Sequence, residues 1–225
     1  MEDTTLRIFI DPAMGSTGIF ALRDYPDAPL PGRLVKDVFF FNPKTNFKAI
    51  PTIPEKYRNV KVMVARIADC LERVVKEEEA NETEIYVEAP FIGSFGSALE
   101  LAGLSFMLID RLLKLNKTKL HRGGRLFMIS SAMVSGKDKK AKRLRKERKP
   151  FAIEEWKFLR MHIPSSTFYG VETLAKSGDD VATAFLLWFY CFGPGLEPKK
   201  KDQPKLQEVS QDFFENIYCG EDDGL

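Results

Sequence analysis

Four acidic residues lie where predicted strands end or a predicted helix begins. Asp11 closes the first apolar run of the chain, and Glu88 closes a later one. In open α/β sheets, sites form where strands end beside helical crossovers, so these two carboxylates converge if their strands are neighbours. Asp179 and Asp180 open a predicted buried helix and could point at the same place. The plain alternatives are a turn-forming aspartate at Asp11 and a helix cap at Asp179 or Asp180, because helix N-termini favour negative charge.

Converging carboxylates of this kind indicate a metal site. Three or four such groups repel one another strongly unless a cation neutralises them. Oxygen-only ligand sets suit Mg²⁺ or Mn²⁺. Two such ions about 4 Å apart can activate a water molecule and stabilise the leaving oxygen in phosphoryl transfer. The pattern therefore predicts carboxylate-held divalent metal ions that act on phosphate esters.

A basic segment, residues 137–149, contrasts with the rest of the chain. It holds nine Lys or Arg against two acids, a local charge of +7, whereas the other residues hold 25 bases and 30 acids, a net charge of −5. The segment has almost no apolar face, so it gains little by packing and suits polyanions, which it would bind through counterion release. The alternatives are a solvated helix face and a localisation tract. The candidate DNA contacts are Lys137, Lys139, Lys140, Lys142 and Arg143.

The elements that must position these residues follow from the spacing of apolar positions. We predict strands over residues 6–10, 19–22, 34–41, 84–88 and 125–129, and helices over 55–79, 93–115, 151–161 and 179–192. The first three strands are joined by short turns and suggest an antiparallel meander. The later strands are separated by helices and suggest parallel pairing through crossovers. The fold class is therefore α/β, a mixed sheet flanked by helices, with one domain over residues 1–193 and a polar C-terminal tail over 194–225.

Composition excludes several other classes of protein. Hydrophobic residues are 44% and charged residues 29% of the 225, which rules out wholesale disorder. The three cysteines have no C-x-x-C spacing and only two histidines occur, which argues against a disulfide framework and a zinc site. The longest apolar stretch, residues 181–192, is too short for a membrane span of about 20 residues. With no signal peptide at the N-terminus, we expect a cytoplasmic protein, with a viral or phage protein in a host cytoplasm as one form of this.

Three motifs resemble those of RuvC-like Holliday-junction resolvases. Residues 8–18 read IFIDPAMGSTG, which is similar to the first motif, a strand that ends in Asp-Pro and leads through x-x-x-Thr-Gly into a second strand. Residues 85–90, IYVEAP, resemble the second motif, and residues 177–184, SGDDVATA, resemble the third. The resemblance extends over residues 6–192, and the phage, mitochondrial and plastid members look closer than the bacterial ones.

The resemblance implies an RNase H-like fold, a homodimer, and hydrolytic cutting of branched DNA, especially four-way junctions. It implies Mg²⁺ as cofactor, as two ions, with Mn²⁺ as a substitute. Asp11 matches the first catalytic aspartate, Glu88 the catalytic glutamate, and Asp179 or Asp180 the penultimate acid, all as metal ligands. Lys137 and Lys139 match a lysine-bearing loop beside the scissile phosphate.

One position departs from the family pattern and leaves other functions open. The last acid of the third motif falls on Thr183, which supplies no anionic ligand, although Asp179 and Asp180 together offer two carboxylates that would compensate. A second hypothesis is therefore a junction-binding protein with a weakened or inactive site. A third is an actin-like ATPase or sugar kinase, whose phosphate-binding turn faintly matches residues 11–18. Such folds need two domains and a second phosphate-binding turn, which we do not find, and a nucleotide titration would discriminate.

Overall fold

The fold is seen in a computed structural model. It describes residues 5–13, 17–24, 38–41, 53–78, 82–89, 95–118, 124–129, 150, 153–154, 156–158, 179–192 and 206–209. The strands are β1 (Thr5–Asp11), β2 (Gly18–Asp24), β3 (Val38–Phe41), β4 (Glu82–Glu88), β5 (Arg125–Ile129) and β6 (Leu206–Glu208). The helices are α1 (Ile53–Glu78), α2 (Phe95–Thr118) and α3 (Asp179–Phe192). Residues 153–154 and 156–158 are helical too, within the predicted helix over 151–161.

The six strands form one mixed sheet in the order β3-β2-β1-β4-β5-β6. Strand β2 pairs antiparallel with both β1 and β3, and β4 pairs parallel with both β1 and β5. This is the RNase H-like arrangement that the sequence predicted, so the predicted fold class is confirmed. Residues 34–37 of the predicted third strand lie outside the described residues.

Alternation along the central strands divides the hydrophobic residues between two faces of the sheet. In β1, Leu6, Ile8 and Ile10 are buried on one face, where α1 and α2 pack against them. Apolar residues of α1 recur at steps of three and four, which places one side of this helix against the sheet. The second face carries Phe9 and is covered by α3. Burial on both faces explains why β1 and β4 appear in the sequence as short apolar runs.

An aromatic row crosses the middle of the face beneath α3. The rings of Phe9 and Tyr86 stack with centroids 4.6 Å apart, and those of Tyr86 and Phe127 stack at 4.8 Å. Phe20 continues the row on β2 and meets Phe185 of α3 edge-on at 5.4 Å. Offset and edge-on rings of this kind add to the stability that their burial provides.

A charged row crosses the same face at the end of the sheet where β1 and β4 begin. Arg7 and Glu84 form a half-buried ion pair of 2.7 Å, and the Tyr86 hydroxyl donates to Glu84 at 2.8 Å. Arg125 donates to both carboxylate oxygens of Glu208 at 3.0 and 2.9 Å. Burial and the neighbouring Glu84 raise the pKa of Tyr86, so its hydroxyl remains a hydrogen-bond donor.

Part of the segment that the sequence predicted as a tail belongs to the sheet. Strand β6 pairs antiparallel with β5, and the Val209 amide that follows it donates to the Leu126 carbonyl at 2.8 Å. The Val209 side chain is 3% exposed and packs with the core beneath α1 and α2. The division of the chain at residue 193 stays a prediction.

None of the helices in the described part combines the length and apolar character needed to cross a lipid bilayer.

Candidate active site

Asp11 and Glu88 are the last residues of two adjacent parallel strands. Ile10 pairs with Val87 in the ladder between β1 and β4, so the two acids follow at the same end of the sheet. Because side chains alternate along a strand, both acids lie on the face that carries Phe9 and Tyr86. Their carboxyl groups lie close enough to influence each other. Their predicted convergence depended on the two strands being neighbours, and β1 and β4 are neighbours in the sheet.

The surroundings of the carboxyl pair act on the pKa of Glu88 in two opposite directions. Both residues are partly exposed, yet protein surrounds the Glu88 carboxyl closely enough that burial raises its pKa. The hydrogen bond with Asp11 opposes this rise. A cation bound between the two carboxyl groups would favour their ionised forms.

Backbone contacts fix both strand ends that carry the acids. Thr17 is fully buried, and its hydroxyl donates to the Ala13 carbonyl at 3.1 Å and accepts from the Ala13 amide at 3.3 Å. These bonds close the turn that leads from Asp11 into β2. On β4, the Ala89 amide donates to the Ile129 carbonyl at 2.7 Å, which extends the ladder beyond Glu88. Sequence reasoning did not assign this role to Thr17, although its place in the x-x-x-Thr-Gly motif was a usable signal.

Helix α3 packs on the face of the sheet that carries Asp11 and Glu88. At its last residue, the Phe192 ring lies 4.8 Å from the Arg7 guanidinium carbon and 5.9 Å from the Phe9 ring. The helix therefore ends beside the charged row. Asp179 and Asp180 are its first two residues. Their side chains lie outside the part that the structure describes, so their place in the site stays a prediction.

The donor set fits a hard divalent cation. Among the described side chains, no group of three or more His, Cys, Asp or Glu is placed to hold a metal ion. Of the four candidate acids, the side chains of Asp11 and Glu88 are described, and their ligand atoms are all oxygens, as Mg²⁺ and Mn²⁺ prefer. The pair would supply two ligands, and a third from the start of α3 stays a prediction.

The predicted DNA contacts, Lys137, Lys139, Lys140, Lys142 and Arg143, lie outside the described residues. They stay predictions, as do the catalytic roles of the four acids.

The sequence matches no protein-family model and no curated protein. In structure, the chain is similar to T. thermophilus RuvC in complex with a Holliday junction substrate, with 10% identity, 84% of this chain and 98% of that chain covered, and a TM-score of 0.43. A second Thermus thermophilus RuvC structure has 12% identity, covers 81% and 92%, and has a TM-score of 0.42. The yeast mitochondrial Holliday junction resolvase Ydc2 has 11% identity, covers 81% and 79%, and has a TM-score of 0.35. The chain is thus similar in structure to RuvC and to a mitochondrial Holliday junction resolvase.

Proposed function

We propose that this protein is a divalent-metal-dependent endonuclease that cuts branched DNA, with four-way junctions as its substrate. The observation that carries the proposal is the carboxyl pair of Asp11 and Glu88, side by side at the ends of adjacent parallel strands. Helix α3, which packs on the same face of the sheet, begins with two further aspartates. This arrangement suits hydrolysis of a phosphodiester better than redox or acyl-transfer chemistry, because it offers oxygen ligands at an accessible sheet edge.

In this proposal the acids hold two Mg²⁺ ions, with Mn²⁺ as a substitute. Asp11 and Glu88 would hold the ions, and Asp179 or Asp180 would complete the ligand set. When bound, such ions would stabilise the charge that develops on the phosphate oxygens during hydrolysis. The Thr17 turn and the Ala89 hydrogen bond anchor the strand ends that carry Asp11 and Glu88.

The partner in this proposal is branched DNA, bound in part by the basic segment. Lys137, Lys139 and their neighbours would contact phosphates without reading base sequence. The resemblance to resolvases implies a homodimer, and the cysteine pattern is consistent with action in a cytoplasmic, reducing compartment.

A cleavage assay tests the proposal. We expect the protein to cut a labelled four-way junction in Mg²⁺, and to leave a linear duplex of the same sequence intact. EDTA should abolish the reaction. Asp11→Asn, which keeps the size of the side chain and removes a charged ligand, should reduce cleavage to background and so exclude a contaminating nuclease. Equal cutting of junction and duplex, or full activity in Asp11→Asn, would contradict the proposal.

Thr183 supports a second candidate, a protein that binds junctions and cuts them poorly. The residue lies one turn into α3 and is partly exposed, at the position where the family pattern has an acid. We expect Thr183→Asp to lower the Mg²⁺ concentration for half-maximal cleavage about tenfold, because it adds an anionic group near the predicted ligands. Thr183→Asn, which adds no charge, is the matched control and should behave as wild type. If the wild type binds junctions without cutting them and Thr183→Asp cuts, the second candidate is the correct one.

A further inference from the structure

Helix α1 presents a basic face to solvent on the side of the sheet opposite α3. Between residues 57 and 76, where its side chains are described, the exposed charged residues are five bases and one acid. The bases are Arg58, Lys61, Arg66, Arg73 and Lys76, and the acid is Asp69. Glu72, a second acid, is partly buried. The exposed face of α1 therefore carries a positive surplus in a chain whose charge outside the basic segment is negative.

Most of this charge is available to an outside partner. Within the described part of the chain, Arg58, Arg73 and Lys76 take part in no ion pair. The Lys61 amine lies 5.6 Å from the centre of the Tyr57 ring, a cation–π contact that leaves the amine at the surface. A helix face that serves only solubility usually carries both acidic and basic residues. Opposite charges at i,i+4 then stabilise the helix. The surplus on α1 favours an anionic ligand.

The basic face begins at the end of the sheet where the carboxylate pair lies. Helix α1 ends at Glu78, and β4 begins four residues later, at Glu82, at the far end of the sheet from Glu88. Helix α1 therefore runs in the direction opposite to β4, so Arg58 and Lys61 lie toward the Glu88 end of the sheet. At 1.5 Å per residue, the face extends about 27 Å from Arg58 to Lys76. That length corresponds to about eight base pairs of duplex DNA.

We propose that the exposed face of α1 binds the phosphate backbone of one duplex arm of the branched DNA, as the arm leaves the active site. This inference rests on the proposed function, and it adds a surface that the basic segment does not include. Arg and Lys on one helix face neutralise successive phosphates without reading bases, so the contact would be independent of sequence and weakened by salt.

Two double variants test this surface and a third serves as the control, and each removes two positive charges. Arg58→Gln with Lys61→Gln removes the end near the site, and Arg73→Gln with Lys76→Gln removes the far end. The matched control is Arg111→Gln with Lys114→Gln, an exposed pair at the same i,i+3 spacing on α2. Circular dichroism and thermal unfolding check that all three fold as wild type.

The measurement is the dissociation constant for a four-way junction across a salt series. With arms of about 15 base pairs, each α1 variant should bind about tenfold more weakly and lose about 2 from the slope of log K against log salt, while the control binds as wild type. With arms of about 5 base pairs, only the Arg58 and Lys61 variant should lose affinity. If wild type binds junctions and the α1 variants bind like the control, the inference is wrong and the proposed function survives. If wild type neither binds nor cuts junctions, both are wrong.

Discussion

Replacing Glu88 with glutamine is expected to lower junction cleavage about 10³-fold and to stabilise the metal-free protein at neutral pH. Loss of an anionic ligand removes several kcal/mol of stabilisation of the transition-state charge, and each 1.36 kcal/mol is a factor of ten in rate. The same change removes a charge from a place where burial disfavours it. Activity and stability should therefore change in opposite directions.

The sign of the stability change follows from the raised pKa of Glu88 in the folded protein. A carboxyl whose pKa is higher in the folded than in the unfolded state contributes its full stability below the ordinary glutamate pKa. This contribution to stability is lost as the pH rises through the pKa of the carboxyl in the folded protein. Glutamine has no charge to desolvate, so the loss of unfolding free energy that Glu88 causes as pH rises should be absent from the variant. At neutral pH we expect the variant to be more stable by about 1 kcal/mol.

Urea unfolding in EDTA at about pH 4 and about pH 8 measures the effect. Glu82→Gln is the matched control, since Glu82 is exposed at the start of the same strand. The control should cut junctions at the wild-type rate. A Glu88→Gln protein that cuts as well as wild type would remove Glu88 from the catalytic site. One that is less stable than wild type at the higher pH would show that the carboxyl is not disfavoured by burial.

The second large effect is expected from Phe185→Ala in α3. Phe185 is fully buried, and its ring contacts those of Phe20 at 5.4 Å and Trp188 at 5.5 Å. Truncating a buried phenylalanine leaves a cavity and costs about 3–5 kcal/mol of unfolding free energy. Because α3 is held against the sheet by this aromatic cluster, the variant should also lose cleavage activity through displacement of the helix start.

Two companion variants separate packing from general damage. Phe185→Leu keeps most of the volume and should lose less stability than Phe185→Ala. Phe158→Ala removes a ring that is 56% exposed and should change stability by no more than about 0.5 kcal/mol. Thermal and urea unfolding measure all three. Wild-type stability in Phe185→Ala would mean that α3 does not depend on this cluster.

The strands and helices that carry the site could be predicted because their signals are local. Burial on both faces makes β1 a continuous apolar run around Ile8, and the steps of three and four in α1 are visible without any partner. The meeting of Asp11 and Glu88 followed from one assumption, that the first and fourth strands are neighbours, and the β1–β4 pairing fulfils it. The bounds of α1 and α2 differ from the predicted ones by one to three residues, at ends where capping rather than periodicity decides, whereas α3 has the predicted bounds.

The features of the fold that were not predicted depend on contacts between residues that are far apart in the chain. Strand β6 has three exposed residues and no apolar alternation, so its pairing with β5 depends on the Arg125–Glu208 ion pair and on Val209 beyond it. The row of Arg7, Glu84 and Arg125 likewise needs the register of three strands before its charges can be matched. Neither feature has a signature in a single sequence window.

Strand β6 also determines whether a truncated protein would aggregate. It occupies the hydrogen-bonding edge of β5, and its own exposed side chains include Glu208, a charge of the kind that discourages further strand addition. A chain ending at residue 193 would leave the β5 edge open beside an aromatic row and would expose the part of the core that Val209 covers. Such a fragment would be prone to edge-to-edge aggregation, so the C-terminal segment protects the sheet and should be kept in any truncated protein.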